Sequence, residues 1–347
     1  MNKTCLAIIT TVYNDSVYLK SLLVSLLNQT HHSFKHYIYE DGSKETCEEI
    51  INWYKNEIIH RKIDVEVKYF KSDVNIGVDK GHEFLFKQIH ENYFCWIDSD
   101  DWVRKDFCEI IFNNIKKYPN IDIFHINSSQ YDKNRNVIIK STMSLLSKNV
   151  INSVDQFPAY CLGGQRFFHN FVIKLDSFKS VNPDLKIFSK NERQVFWYDA
   201  QILFEMCLFH KKYKLIKQPI SCILNRPTSV SRSNRKLSKI DRQTDLNSLK
   251  YIIKNLYYKE KDTSMFFELF KLAMDYFKKL TWDYIDNNYL DAYKFYKYYK
   301  KTIKALNLPS NYVNLKKGIP LLFLRKKIFI ILAPLIKIIR IIRKKSG

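Results

Sequence analysis

Residues 94–102 read Phe-Cys-Trp-Ile-Asp-Ser-Asp-Asp-Trp, and this stretch is the most informative part of the chain. A short apolar run that ends in polar residues is typical of a buried β-strand. Three carboxylates follow the run at once, on Asp98, Asp100 and Asp101. Because open α/β sheets bind their ligands in the crevice outside the carboxyl ends of the strands, we expect these carboxylates to face a ligand.

The close spacing of these carboxylates indicates a cation site. Clustered carboxylates repel one another unless a cation or hydrogen-bond donors neutralise them. Oxygen ligands select a hard divalent ion, Mn²⁺ or Mg²⁺, which in proteins commonly bridges to substrate phosphates. We therefore predict a metal–diphosphate site with Mn²⁺ or Mg²⁺ as the cofactor. The alternative is a helix N-cap, since aspartate is a preferred cap and Asp100 or Asp101 would precede a helix that ends at residue 117.

Strand-like and helix-like patterns alternate through the first 126 residues. Apolar runs rich in β-branched and aromatic residues predict strands at residues 6–12, 37–39, 63–70, 93–97 and 121–126. Apolar residues at helical spacing predict helices at residues 17–28, 47–59, 77–91 and 103–117. Alternation of this kind predicts an α/β fold with a parallel sheet and right-handed crossover connections.

Polar residues follow three of these predicted strands, at residues 10–15, 40–43 and 98–101. Since the carboxyl ends of parallel strands share one edge of a sheet, we expect the three polar ends to form one pocket. The sequence contains neither a GxGxxG motif nor a P-loop motif, so no glycine-rich loop is available to cradle phosphates. A metal held by carboxylates is therefore expected to bind them.

The composition is that of a globular protein. The 347 residues are 46% hydrophobic and 27% charged, and glycine and proline are scarce at 7 and 8 residues, which argues against disorder and repeat architecture. Seven cysteines without a CxxC pair, together with an N-terminus that does not resemble a secretion signal, predict a reduced, cytoplasmic protein.

Much of the net charge of +22 lies at the C-terminal end, because residues 311–347 hold ten Lys or Arg residues and no Asp or Glu. Within residues 319–345, charges and Pro334 interrupt the apolar runs well before the ~20 residues that a membrane span requires. The pattern predicts an amphipathic helix that lies in the anionic interface at the inner face of the cell membrane. A helix docked on the protein's own core or in a dimer is the alternative. Charge concentrated at one end does not favour nucleic acid as a partner.

The chain is expected to divide into three parts. Residues 1–235 hold the alternating pattern and the polar strand ends, residues 236–310 are helix-like and rich in Tyr, Phe and Lys, and residues 311–347 form the basic tail. An aromatic stripe at helical spacing in the middle part is typical of a packing face.

Four short motifs together resemble the nucleotide-sugar-dependent glycosyltransferases of family 2, which have the GT-A fold. They are residues 11–14 (Thr-Val-Tyr-Asn), 40–43 (Glu-Asp-Gly-Ser), 75–77 (Asn-Ile-Gly) and 98–101 (Asp-Ser-Asp-Asp). Residues 198–203 and 225–231 are similar to the acceptor-side half of bacterial polysaccharide members. The resemblance implies a Rossmann-like, mostly parallel sheet with flanking helices, followed here by a C-terminal helical region.

The resemblance also implies roles for five residues around a nucleotide-sugar donor. Thr11 and Tyr13 would pack on the nucleotide, and Asp41 would accept a hydrogen bond from the base, typically the N3–H of uracil. Asp98 would contact the ribose or the sugar. Many relatives carry Ala-Arg-Asn after Asn-Ile-Gly, where this chain has Val-Asp-Lys, so Lys80 would replace that arginine at the donor phosphates.

The implied chemistry is sugar transfer by direct displacement with inversion. Asp100 would ligate the metal that bridges the two phosphates, and Asp199 falls where the family places its catalytic base. Glu192 and Glu205 are rival carboxylates for the base, and a helix N-cap is the other interpretation of Asp199. Arg226 could face a diphosphate or pair with a core carboxylate, and the sequence leaves both open.

The sequence therefore predicts an inverting glycosyltransferase that moves a sugar from a UDP-sugar to a cell-surface glycan or a lipid-linked saccharide. A metal-dependent nucleotidyltransferase is one alternative, because it also sets carboxylates and a metal at a sheet edge, although it would release pyrophosphate. A basic nucleic-acid-binding protein is the other, and it would need basic residues spread near the aromatic ones.

Overall fold

A nine-stranded mixed sheet runs through the residues that this computed structural model describes, namely 6–142, 171–185, 206 and 213–226. All of them belong to one compact unit of the chain. No helix within these ranges is long and apolar enough to cross a lipid bilayer. The predicted base Asp199, the helical region 236–310 and the basic tail 311–347 lie outside the described residues, so the three-part division of the chain stays a prediction.

The helices and strands follow the predicted alternation. The strands are β1 (Leu6–Val12), β2 (Phe34–Asp41), β3 (Glu66–Ser72), β4 (Tyr93–Trp96), β5 (Trp102–Val103), β6 (Ile123–Tyr131), β7 (Val137–Ile139), β8 (Phe171–Lys174) and β9 (Tyr213–Leu224). The helices are α1 (Ser16–Leu27), α2 (Glu48–His60), α3 (Val78–Gln88), α4 (Phe107–Lys117) and α5 (Leu175–Val181). β2 and β6 are longer than the sequence pattern indicated.

The strand order is β3-β2-β1-β4-β8-β6-β9-β5, and β7 pairs with β6. β3, β2, β1 and β4 are parallel neighbours, as the alternation predicts. β8 then pairs antiparallel with both β4 and β6, while β9 is parallel to β6 and antiparallel to β5. The α/β architecture is confirmed, but the second half of the sheet is mixed. The sequence did not indicate this because β8 and β9 follow the region of regular alternation.

β1 lies in the interior of the sheet, since it pairs with β2 on one side and β4 on the other. Both of its faces are buried, which explains why its first four residues, 6–9, are all apolar. Buried leucines of α1 join the β1 side chains of Leu6 and Ile8 in one hydrophobic core. Full burial of such a side chain contributes about 1.5–3 kcal/mol to the free energy of unfolding. This packing fixes the carboxyl end of β1.

α4 begins at Phe107 with Asp106 as its N-cap residue, and not at residue 103 as the pattern predicts. Residues 102–103 instead form β5, which pairs antiparallel with β9. Asp100 and Asp101 therefore precede a strand, and the N-cap interpretation of these residues is wrong. A local pattern could not show this, because β5 forms by pairing with a strand that starts only at residue 213.

Candidate active site

The carboxyl ends of β1, β2 and β4 lie side by side at one edge of the sheet. Val12 is in register with Glu40 of β2, and Ile9 is in register with Trp96 of β4. The three strands are parallel, so the residues that follow them leave the sheet at the same edge. The predicted convergence of the three polar strand ends is therefore confirmed.

Hydrogen bonds join the loops that follow these strands. Asn14 N–H donates to Ser43 Oγ at 3.0 Å, and Lys44 N–H donates to Asn14 Oδ1 at 2.8 Å. On the other side, Ser99 Oγ donates to Asp15 Oδ2 at 3.2 Å. Asn14 has a φ of 52°, in the left-handed region that asparagine tolerates better than most residues. The loop after β1 thus contacts the loops of both neighbouring strands.

Asp98, Asp100 and Asp101 form a carboxylate cluster directly after β4. One carboxylate oxygen from each residue lies within 4.8 Å of the others. Burial raises the pKa of Asp100 above its ordinary value, the charge of Asp98 raises it further, and the neighbouring Arg226 offsets the rise only in part. The environment of Asp100 therefore favours any additional positive charge.

The donor set of this cluster fits a hard divalent cation. It offers carboxylate oxygens only, which are the ligands that Mg²⁺ and Mn²⁺ prefer. Asp101 differs from its neighbours, because it is 2% exposed and its Oδ1 accepts the N–H of Leu224 at 2.8 Å. One oxygen of Asp101 thus stabilises the end of β9. Because Asp101 is also the most deeply buried of the three, Asp98 and Asp100 are the better candidates for metal ligands.

Asp41 lies at the end of β2 and is 2% exposed. Its Oδ1 accepts the N–H of Ile76 at 2.7 Å, and its Oδ2 accepts the N–H of Gly77 at 2.9 Å. Asn75 Nδ2 also donates to the carbonyl oxygen of Asp41 at 3.2 Å. Because an ionised carboxylate has about four acceptor positions, these two bonds leave acceptor capacity for a ligand. The contact with a nucleobase stays a prediction.

Gly42 allows the segments 40–43 and 75–77 to approach each other closely. Its φ is 63°, and a Cβ at this position would lie 2.4 Å from the backbone nitrogen of Asn75. Two motifs that the sequence treats separately therefore form a single unit, held together by Asp41 and by the absence of a side chain at Gly42.

Three further predicted donor contacts lie around the same edge. Thr11 is partly buried, and Tyr13 is 47% exposed. A Cβ on Gly81 would lie 3.2 Å from Thr11 Cγ2, so α3 packs closely against the end of β1. Lys80 Nζ pairs with Glu83 Oε2 at 2.7 Å, with the lysine side chain 50% exposed. The Glu83 side chain is only 8% exposed, so this ion pair is partly buried. The contact of Lys80 with donor phosphates stays a prediction.

Arg226 pairs with carboxylates, which is one of the two alternatives that the sequence left open. Its Nη1 and Nη2 donate to the two oxygens of Asp15 at 2.8 and 2.7 Å, and its Nε donates to Asp100 Oδ2 at 2.7 Å. Its guanidinium also lies 4.6 Å from the ring centroid of Tyr18. Arg226 thus connects the loop after β1 with the carboxylate cluster after β4.

The sequence profile of glycosyl transferase family 2 matches residues 7–180, which is half of the chain. The chain belongs to glycosyl transferase family 2. It is 28% identical over 113 residues to the glycosyltransferase GlyA of Streptococcus pneumoniae serotype 4, and 32% identical over 109 residues to an uncharacterized glycosyltransferase of Haemophilus influenzae. These alignments cover 33% and 31% of this chain, but 15% and 41% of the relatives, so the matched part is less than half of either relative.

Solved structures of Staphylococcus aureus TarS 1–349 are similar to this family 2 chain over most of its length. One has a TM-score of 0.64 at 14% identity, covering 91% of this chain and 85% of that chain. The complex of TarS 1–349 with UDP-GlcNAc has a TM-score of 0.65 at 15% identity, covering 91% and 86%. Similarity at this identity shows the fold alone, and it confirms the GT-A fold that the sequence predicted.

The described part of this family 2 chain includes all the predicted site residues except Asp199. These are Thr11, Tyr13, Asp41, Lys80, Asp98 and Asp100. Asp15 was missed as a site residue, although it ends the polar stretch 10–15 that the sequence singled out. No local signal connects it with Asp100, because that connection runs through Arg226, which is 211 residues from Asp15.

Proposed function

We propose that this family 2 chain is an inverting glycosyltransferase that moves a sugar from a UDP-sugar to a cell-surface glycan or a lipid-linked saccharide. One observation carries the proposal. The carboxyl ends of β1, β2 and β4 meet at one sheet edge, with the carboxylates of residues 98, 100 and 101 within 4.8 Å of one another. Such an edge is where open α/β sheets bind ligands, and the family supplies the class of ligand.

The nucleotide is proposed to bind beside β1 and β2. Thr11 and Tyr13 would pack on it, and Asp41 would accept from the uracil N3–H with the acceptor capacity that Ile76 and Gly77 leave. The two backbone hydrogen bonds to Asp41 support this proposal, because they hold its carboxylate in one orientation before any ligand arrives. A pre-oriented acceptor loses less conformational freedom on binding.

The diphosphate is proposed to bind between β1 and β4. Asp100, with Asp98 beside it, would hold Mn²⁺ or Mg²⁺, Asp98 would also contact the ribose or the sugar, and Lys80 would approach the phosphates. A bound divalent cation would act as a Lewis acid that stabilises the charge of the leaving diphosphate. The raised pKa of Asp100 supports a cation at this position, because burial and neighbouring charge both make an unneutralised carboxylate unfavourable there.

The acceptor hydroxyl is proposed to lose its proton to Asp199. A positioned carboxylate can act as general base, and a base on the face opposite the leaving group gives inversion. Asp199 lies outside the described residues, so its role is supported by the resemblance of residues 198–203 to polysaccharide-type members.

The basic segment 319–345, also outside the described residues, is proposed to bring the enzyme to an anionic membrane surface at the inner face of the cell membrane, where lipid-linked acceptors would be available.

A panel of nucleotide sugars tests the proposal. The full chain is incubated with Mn²⁺ and each donor in turn, and thermal shift and the released nucleotide are measured. We expect a UDP-sugar to raise the melting temperature and to yield UDP. Release of pyrophosphate would instead indicate the nucleotidyltransferase alternative.

Two aspartate variants test whether the thermal shift depends on the carboxylate cluster. Asp100→Asn should remove the metal-dependent thermal shift, because it neutralises a proposed ligand. Asp176→Asn is the matched control, since Asp176 is an exposed carboxylate in the first turn of α5 and should leave the shift unchanged. Equal shifts in both variants would contradict the proposed metal site.

A further inference from the structure

Arg226 places a positive charge on a carboxylate that the proposed function assigns to a metal. Its Nε donates to Asp100 Oδ2 at 2.7 Å, and the side chains of Arg226 and Asp100 are 17% and 14% exposed. Charge-assisted hydrogen bonds of this length are the strong ones in proteins. The guanidinium is therefore a resident counter-ion of Asp100.

The backbone around Arg226 is anchored close to the carboxylate cluster. Leu224 N–H donates to Asp101 Oδ1 at 2.8 Å, and Asn225 N–H donates to the carbonyl oxygen of Tyr131 at 2.7 Å. Arg226 follows these two residues directly. Its approach to Asp100 is thus set by the pairing of β9 with the sheet, and not by the side chain alone.

Asp15 holds the other side of the guanidinium. Nη1 and Nη2 donate to Oδ1 and Oδ2 of Asp15 in a two-bond fork, which is the most specific geometry for an arginine–carboxylate pair. Two of the three charge-assisted bonds of Arg226 are therefore made to Asp15, and one to Asp100. Loss of the Asp100 bond alone leaves the fork on Asp15 intact.

A divalent cation on Asp100 meets this counter-ion directly. Mg²⁺ binds carboxylate oxygens at about 2.0–2.1 Å, so a cation bound to Asp100 lies close to the guanidinium that donates to the same carboxylate. Two positive charges at such a separation repel each other strongly in a partly buried site. The cation and the Nε–H bond of Arg226 thus oppose each other.

We propose that Arg226 and the divalent cation compete for Asp100, with Asp15 as the positioning residue that keeps the guanidinium in the site when the cation binds. The inference rests on the metal site of the proposed function. Arg226 then has a regulatory effect, because its bond to Asp100 lowers the affinity of the ligand-free protein for the metal. By linkage, the metal lowers the affinity of Arg226 for Asp100 by the same factor.

Titration of the full chain with Mn²⁺, without any nucleotide sugar, tests the competition. The dissociation constant is measured from the electron paramagnetic resonance signal of free Mn²⁺. Arg226→Met removes the competing charge and adds no oxygen ligand, so we expect Mn²⁺ to bind at least about 5-fold more tightly, the lower end of typical coupling between sites. Arg226→Lys keeps the charge but loses the fork, and its constant should lie between those of Arg226→Met and the unchanged protein.

Arg104→Met is the matched control. Arg104 also pairs with an aspartate, with its Nη2 2.8 Å from Asp106 Oδ2, and its loss changes the net charge by the same amount. We expect its Mn²⁺ dissociation constant to stay within about 2-fold of the unchanged protein, because Arg104 donates to Pro219 and Asp106 and not to a carboxylate of the cluster, and exposed charges are largely screened by salt. An equal gain of affinity in Arg104→Met would show that the effect comes from the overall charge of the protein, and it would overturn the proposal.

Folding of the Arg226 variants is monitored by circular dichroism. A second measurement is made on the unchanged protein, so its result does not depend on the stability of a variant. In the unchanged protein, the ¹⁵Nε resonance of Arg226, assigned by its disappearance in Arg226→Lys, should shift when diamagnetic Mg²⁺ is added. A resonance that stays fixed at saturating Mg²⁺, or a folded Arg226→Met that binds Mn²⁺ no more tightly, overturns the competition.

The outcome is separable from that of the sugar-transfer assay. If competition is observed and no UDP-sugar is used, only the donor proposal fails. If UDP-sugars are used with Mn²⁺ and the Arg226 variants bind the metal like the unchanged protein, only the competition fails. Absence of Mn²⁺ binding in every variant would remove the metal site and the competition together.

Discussion

Asp41 and Gly77 are 36 residues apart in sequence and joined directly in the structure, because the N–H of Gly77 donates to Asp41 Oδ2 at 2.9 Å. The N–H of Ile76 donates to the other oxygen of the same carboxylate. The end of β2 and the start of α3 are therefore one unit, in which the buried carboxylate of Asp41 accepts from two consecutive backbone N–H groups.

Asp41→Asn should destabilise the protein. Asparagine offers one side-chain oxygen, so one of the two N–H groups would face an NH₂ group and stay unpaired, at a cost of about 1–3 kcal/mol in the free energy of unfolding. Urea denaturation followed by circular dichroism measures the change. Asp73→Asn, at an exposed position between β3 and α3, is the control and should change the free energy of unfolding by less than about 0.5 kcal/mol. Equal stability of the two variants would contradict the structural role of Asp41.

Gly42→Ala should also be destabilising, for a reason of space and backbone conformation. The φ of 63° is unfavourable for alanine, and its Cβ would lie 2.4 Å from backbone atoms of Val74 and Asn75. We expect a loss of at least about 2 kcal/mol, measured by urea denaturation. Gly81→Ala is the comparison, because the φ of Gly81 is not in the left-handed region and its Cβ would meet side chains of Tyr39 and Thr11 rather than backbone atoms. A larger loss in Gly81→Ala would show that the contact at Gly42 is relieved more easily than expected.

Stability should fall as the pH is lowered from 7 to 5. Burial lowers the pKa of His36 to about 3 and that of His125 to about 3, both below the ordinary value of 6.5. Below pH 6.5 the unfolded chain binds protons at these residues and the folded chain does not, so protons favour unfolding. Each histidine should contribute up to about 1.4 kcal/mol per pH unit to the loss.

Urea denaturation at pH 7, 6 and 5 measures this slope. His125→Phe should reduce the slope, since it removes one of the buried histidines and keeps a ring that can stack on Phe171. His60→Gln, at an exposed position at the end of α2, should leave the slope unchanged. An unchanged slope in His125→Phe would mean that His125 takes up no extra protons on unfolding.

Asp199→Asn should lower the rate of sugar transfer by at least about 100-fold while donor binding stays intact, because a general base typically contributes that much or more. Released UDP measures the rate, and thermal shift with UDP-sugar and Mn²⁺ measures donor binding. Glu192→Gln and Glu205→Gln are the matched tests of the rival carboxylates. Near-normal turnover of Asp199→Asn, or a greater loss in either glutamate variant, would reject the assignment of the base.

Removal of divalent cations should abolish donor binding reversibly. With EDTA, the thermal shift produced by a UDP-sugar should disappear, because the diphosphate would then face carboxylates without a cation between them. Excess Mn²⁺ should restore the shift. Tight use of UDP-sugars in the presence of a chelator would rule out the metal-dependent mechanism.

The sequence allowed the site edge to be predicted, because its signals are local. Each polar segment follows an apolar run directly, so residues 10–15, 40–43 and 98–101 could be assigned to strand ends, and the parallel order of β1, β2 and β4 then brought them together. The family was inferred from a resemblance, since four motifs in the right order are far more specific than any one.

Contacts between distant parts of the chain could not be predicted in this way. The Arg226–Asp15 pair, the pairing of β5 with β9 and the bond from Leu224 to Asp101 all depend on where β9 lies in the sheet. No periodicity or motif in the sequence encodes that position. The wrong start of α4 has the same origin, because a segment as short as residues 102–103 forms a strand only through its pairing with β9.

The bond between Leu224 and Asp101 also bears on how far the chain can be truncated at its C-terminal side. The family profile ends at residue 180, well before β9. A fragment cut at that boundary would leave the buried Asp101 without this amide partner and would remove the strand that pairs with both β5 and β6. A fragment that keeps this bond and this strand therefore extends at least through Leu224, well beyond the segment by which the family is recognised.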